Sequence, residues 1–155
     1  MIIRSTLFAI ICTLILGCNS SDPVNDSIDY KVKNEQDITA YINAKDLDAQ
    51  RTDSGLYYVI TTLGSGEQPT SNSEVTVAYK GYFLNGSVFD ESTASGITIN
   101  LNQVIKGWTE GITYFKEGGS GLLLVPAHLG YGNRNYNGIP GGSVLIFEIE
   151  LLSVN

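Results

Sequence analysis

Between Leu101 and Glu117 the chain reads LNQVIKGWTEGITYFKE, the one stretch of its second half with helical periodicity. Val104, Ile105, Trp108, Ile112 and Phe115 fall near helical spacing and make one apolar face. Asn102 is the expected N-cap, because its side chain can accept from free amides of a first turn. Gly118 and Gly119 are the expected stop, since glycine takes the left-handed conformation at little cost. Trp108, the only tryptophan, sits at the centre of this segment. Gly107 and Gly111 interrupt it, and each should cost about 1 kcal/mol relative to alanine. That cost is tolerated where another backbone or a ligand must come close. A short helix among strands buries its apolar face against a sheet, so Trp108 either fills a core or forms the floor of a pocket.

The surrounding segments read as β. Leu56–Leu63 is rich in aromatic and β-branched residues and ends at Gly64-Ser65-Gly66. Glu74–Leu84 alternates, with Val75, Val77 and Tyr79 on one face. Asn85-Gly86 is a two-residue hairpin signal, and Ser87–Asp90 starts the return strand. Gly96–Leu101 is a short strand before the helix. Gly121–Val125 is a buried-type strand closed by Pro126. Ser143–Val154 is the last and longest strand, alternating at Phe147, Ile149 and Leu151. Between them, residues 130–142 form a Gly/Asn-rich loop. Loops of more than about 12 residues without secondary structure are usually functional. Several antiparallel strands with one late helix predict an α+β fold, a twisted sheet wrapped on that helix.

The first residues differ in character. Residues 1–17 carry Arg4 and an apolar run from Leu7 to Leu16. Such a run is too short to span a bilayer but suits the core of a signal peptide. Its end, Leu14-Ile15-Leu16-Gly17-Cys18, resembles a bacterial lipobox. That resemblance implies acylation of the Cys18 thiol and cleavage after Gly17, with Cys12 lost in the leader. Residues 18–33 are polar and read as a lipidated tether. Residues 34–54 read as a short helical extension, with Ile38, Tyr41, Ile42 and Leu47 near helical spacing over Asn34–Asp48. Residues 55–155 form the expected main domain.

Composition removes several function classes. A net charge of −7 argues against nucleic acid, whose binding needs a basic face, and against electrostatic attachment to anionic lipid. Both cysteines lie in the first 18 residues, so the rest has no disulfide and no thiol chemistry. One histidine cannot build a His-based metal cluster within a chain. No metal and no cofactor are expected.

The segments Val77-Ala78-Tyr79-Lys80-Gly81, Val88-Phe89-Asp90, Val104–Gly111, Val125–Gly132 and Leu145–Leu152, in that order and spacing, resemble the FKBP-type peptidyl-prolyl isomerases, the macrolide-binding immunophilins. With the lipobox and N-terminal extension, the whole resembles envelope members of the family in Gram-negative bacteria. The resemblance runs from about Gly55 to Val154. It implies an antiparallel half-barrel of five or six strands around one short helix. It also implies catalytic roles for Asp90, Tyr131 and Tyr79, and a pocket lined by Phe89, Ile97, Val104, Ile105, Trp108 and Phe147, with Tyr136 and Ile139 on an adjustable rim. Trp108 would lie under the proline ring, and the Tyr131 hydroxyl and Ile105 N–H would meet substrate carbonyls. His128 is read as structural. Implied partners are proline-containing unfolded or nascent envelope polypeptides, macrolide inhibitors, and the membrane through the lipid anchor.

Two departures from the family pattern bear on activity. Residues 91–96, ESTASG, lack the arginine that pairs with the aspartate in many members. The loop is one residue shorter, with Gly141 or Gly142 where a second proline is usual. Taken singly, Tyr79 also reads as a sheet-face residue, Asp90 as a turn cap and Tyr131 as a turn residue. An isomerase is therefore one reading, and a catalytically weak FKBP-like binding module or holdase is the other.

Overall fold

A computed structural model describes residues 29–155. The expected signal sequence, the expected lipidation site Cys18 and the expected tether up to residue 28 lie outside the described residues.

Seven antiparallel strands form one open sheet: β1 (Gln50–Arg51), β2 (Tyr57–Thr62), β3 (Glu74–Phe83), β4 (Val88–Glu91), β5 (Ile97–Asn100), β6 (Ser120–Val125) and β7 (Leu145–Val154), in the order β1-β2-β6-β7-β3-β4, with β5 also paired to β3. Five or six strands were expected. The additional one is β1, whose two residues pair with Tyr57 and Tyr58 and are too few to show any periodicity. The side-chain alternation of β6 and β7 sorts two apolar sets onto opposite faces. Leu123, Val125, Leu145, Phe147, Ile149 and Leu151 belong to the main core, while Leu124 and Ile146 belong to a second cluster with Ile38, Tyr57 and Val144.

The central helix is shorter than its apolar pattern. α2 covers Lys106–Gly111 and is flanked by 3-10 turns at Leu101–Gln103 and Ile112–Tyr114. Asn102 is not the cap of α2. It lies in the first turn, where its N–H donates to Asn100 Oδ1 at 3.1 Å. Val104 is extended, with φ −113° and ψ −180°, and this breaks the helix before α2 begins. Nor does the Gly118-Gly119 pair cap α2; with φ +77° at Gly118 it turns the chain into β6. Gly107 and Gly111 do allow a close approach. A Cβ on Gly107 would stand 2.5 Å from Val125 Cγ1, and one on Gly111 2.6 Å from Leu123 Cδ2. The helix therefore lies directly on β6.

The second helix, α1 (Tyr30–Lys45), starts four residues earlier than expected and ends before Leu47. The Asp29 carboxylate caps it by accepting from Lys31 N–H at 2.9 Å, and Asp46 closes it in the left-handed region. It covers the outer face of the sheet, with Ile38 fully buried against Tyr57, Leu124, Val144 and Ile146. Glu35 Oε1 accepts from Tyr57 OH at 2.7 Å and from Arg51 Nε at 2.9 Å. The Tyr57 hydroxyl bond is the main cause that holds the Glu35 carboxyl below its ordinary pKa; burial opposes it, and the bond and charge of Arg51 add to the lowering.

Gly111→Ala separates helix propensity from packing. Propensity alone would stabilise by about 1 kcal/mol. Overpacking against Leu123 should dominate and destabilise by about 1–3 kcal/mol, read as a lower urea midpoint with an unchanged slope.

Candidate active site

The concave side of the sheet and α2 enclose a cavity of about 430 Å³. Trp108 forms its floor and is 5% exposed. Tyr79 from β3 and Phe147 from β7 stand nearly perpendicular to the indole, with centroids at 5.0 and 5.2 Å. Phe89 from β4 packs edge-on to Phe147 at 5.6 Å. It can cross β3 because Gly81 has no side chain; a Cβ there would lie 2.7 Å from the Phe89 ring. These edge-to-face contacts fix the rings where their quadrupoles attract. Ile97, Val104 and Ile105 complete the apolar wall.

Polar groups collect at the mouth. Tyr79 OH donates to Asp90 Oδ2 at 2.6 Å, the length of a charge-assisted bond. Burial first, and the Asp90 bond second, push the Tyr79 hydroxyl pKa well above its ordinary value. Burial raises Tyr131 too, with Tyr136 and Asp90 contributing. Both phenols therefore stay protonated donors at physiological pH. Residues 91–96 bring no cation to Asp90. Instead Ser92 is laced to β3, its Oγ accepting from Tyr79 N–H at 2.9 Å and its N–H donating to Tyr79 O at 3.0 Å. Among the described residues no protein acceptor takes the Ile105 N–H, and the Trp108 Nε1–H is buried without a partner.

The long loop brings Tyr131 and Tyr136 to the rim, stacked at 4.8 Å and 11°. Ile139 is not on this rim. A bridge between Tyr136 and Ile139, with bonds of 2.9 and 2.8 Å, folds the loop back, and Ile139 is buried in the main core at 8% exposure. Two lining residues were not anticipated, Ile99 and Gln103. Ile99 follows Ile97 by two along β5, so strand alternation could have found it; nothing in the sequence marks Gln103. His128 lies away from the cavity, its Nε2 2.9 Å from Ser54 O. A more open depression of about 380 Å³ on the outer face, beside Lys80, Ser92 and Glu148, is not lined by Trp108, Phe89 or Phe147.

A sequence profile described as "FKBP-type peptidyl-prolyl cis-trans isomerase" matches residues 65–152. The chain belongs to this family. It is 50% identical over 107 residues to the FKBP-type peptidyl-prolyl cis-trans isomerase FkpA of Buchnera aphidicola subsp. Schizaphis graminum, covering 67% of this chain and 42% of that protein. It is 39% identical over 156 residues to a probable FKBP-type isomerase of Haemophilus influenzae, covering 99% of this chain and 64% of the relative. The crystal structure of FkpA from Escherichia coli superposes with a TM-score of 0.72 at 34% identity, over 81% of this chain and 61% of that one. The chain thus spans only part of the length of these relatives. The FKBP fold expected from the sequence, an antiparallel sheet that does not close around a short helix, is the fold observed.

Proposed function

We propose that the protein is a peptidyl-prolyl cis-trans isomerase that seats proline on Trp108 and speeds rotation about the preceding amide during folding of envelope polypeptides. The observation that carries this reading is a cavity floored by Trp108 and walled mainly by aromatic and aliphatic side chains, with the Tyr79–Asp90 pair and the Tyr131 phenol among its lining groups. Amide resonance sets a barrier of about 18–20 kcal/mol, so uncatalysed X–Pro isomerisation takes tens to hundreds of seconds. No bond between heavy atoms breaks, and neither a nucleophile nor a proton transfer is required. Rotation out of plane withdraws charge from the carbonyl oxygen, leaving the amide less polar overall. Apolar walls therefore disfavour the planar ground state relative to the twisted state. Tyr131 OH and the Ile105 N–H hold flanking carbonyls, and Asp90 orients the Tyr79 hydroxyl. Binding that strengthens in the twisted geometry lowers the barrier. The reaction uses no cofactor and no metal.

The same cavity accommodates macrolide inhibitors of the family, with the ligand ring on the indole. The lipobox-like Leu14–Cys18 supports acylation of Cys18 and attachment to the periplasmic face of the outer membrane. Asp90 without a cationic partner in residues 91–96 favours the second reading, a weak isomerase that mainly holds its partner.

The deciding assay is protease-coupled or refolding-limited isomerisation with and without a macrolide. Activity blocked by the macrolide supports the isomerase; macrolide binding without activity supports the binding module. A hydrogen bond to a neutral carbonyl is worth about 0.5–1.5 kcal/mol, so Tyr131→Phe should lower kcat/KM several-fold with little change in Tm. Asp90→Ala should slow turnover as well. Full activity of both variants on several X–Pro peptides would remove these roles. Trp108→Leu, if folded, should weaken macrolide binding by at least tenfold in calorimetry; equal affinity would take Trp108 out of the pocket. Cys18→Ala should abolish metabolic labelling with a radioactive fatty acid, and persistent labelling would contradict the anchor.

A further inference from the structure

The loop that carries Tyr131 leaves β6 after Val125 and enters β7 at Leu145. Its internal bonds converge on the backbone around Tyr131. Ala127 O accepts from Gly130 N–H at 3.0 Å and from Gly132 N–H at 2.8 Å, bracketing Tyr131 on both sides. Gly132 O in turn accepts from Gly142 N–H at 2.9 Å. The two feet of the loop, Ala127 and Gly142, are joined from outside by one side chain. Asn34 Oδ1 accepts from Ala127 N–H at 2.8 Å, and Asn34 Nδ2 donates to Gly142 O at 2.9 Å. Asn34 is 1% exposed, the one buried polar side chain of the described core. One turn earlier on α1, the Tyr30 ring lies against Gly142: a Cβ at that glycine would sit 1.8 Å from a ring carbon.

Asparagine is a poor helix former, and a buried amide is unfavourable unless its donor and acceptor are both matched. A leucine would fill the space without either cost. The two bonds to the loop account for the amide. We propose that Asn34 is a positioning residue for the isomerase site: it locks the feet of the loop and so fixes the Tyr131 hydroxyl over the Trp108 cavity. α1 lies outside residues 65–152, the stretch matched to the family, and it is the helix that completes the site's geometry. A misplacement of about 1 Å far from the chemistry can cost on the order of a hundredfold in rate, so loosening this clamp should be visible in turnover.

The proposal rests on the isomerase reading, and the test separates the two. Full-length wild type, Asn34→Leu, Asn34→Asp and Ile38→Ala are compared well below their melting temperatures. Asn34→Leu removes both bonds while keeping the branched shape of the side chain. Asn34→Asp keeps the acceptor for Ala127 and loses the donor to Gly142. Ile38→Ala weakens the seating of α1 on the sheet at a buried position that belongs to the outer cluster. Asn34→Leu should lower kcat/KM by about five- to tenfold and speed amide hydrogen exchange at Ala127 and Gly132; Asn34→Asp should fall between it and wild type. Ile38→Ala should lower Tm and leave kcat/KM within about twofold. Wild-type kcat/KM and exchange in folded Asn34→Leu would overturn the proposal. So would an activity loss in Ile38→Ala that tracks its Tm as closely as the Asn34 variants track theirs. If Asn34→Leu does not fold, Asn34→Asp against Ile38→Ala decides. An inactive wild type would sink the isomerase reading, and the exchange at Ala127 and Gly132 would then decide the clamp alone.

Discussion

The close seating of α2 on β6 is the contact on which the rest depends. With hydrogen in place of a side chain at Gly107 and Gly111, the helix backbone rests on Val125 and Leu123. This approach sets the depth of Trp108 beneath the concave face, and with it the volume above the indole. A helix held further from the sheet would lift the indole toward the mouth. The unfavourable propensity of two glycines within a helix of six residues is offset by the packing they permit. Tyr79, Phe147 and Phe89 then find edge-to-face positions around a floor already fixed in place.

The site divides its work between a rigid bowl and an adjustable lip. The bowl is made of strand and helix residues locked by aromatic contacts. The lip is the loop between β6 and β7, whose Leu129 and Ile139 are anchored in the core and whose glycine-flanked stretch around Tyr131 carries few packed side chains of its own. Its shape comes from hydrogen bonds that run through Ala127, Gly132 and Gly142 and end on Asn34 of α1. The outer helix and the inner pocket thus act on the same loop from opposite faces of the sheet. Asp90 serves as an anchor for Tyr79 rather than as half of an ion pair, in keeping with the uncharged character of residues 92–96.

Much of the site was legible in the sequence. Trp108, Tyr79, Phe89, Asp90, Tyr131 and Phe147 stand in motifs whose spacing carries the family, and the strands that present them alternate clearly. What escaped depends on partners distant along the chain. The first turn of α1 contains mostly polar residues, and the roles of Tyr30 and Asn34 exist only because Gly142 and Ala127 meet them more than 90 residues later. Ile139 read as a rim residue until the Tyr136–Ile139 bridge turned it inward. The helical pattern from Asn102 to Glu117 was real as an apolar face, but the extended backbone at Val104 divides it so that Val104 and Ile105 can reach the cavity wall. Periodicity reports which side chains are buried and not whether the backbone between them stays helical.

On the proposed reading, the cavity over Trp108 takes up proline and speeds its isomerisation. Exchange spectroscopy by NMR on a short X–Pro peptide, with substoichiometric protein and the indole N–H of the single tryptophan observed alongside, tests both halves at once. The account predicts cis–trans exchange cross-peaks that appear only with the protein, and a saturable shift of the Trp108 indole resonance over the same peptide concentrations. Exchange no faster than in free peptide, with an indole resonance that does not move, would contradict it.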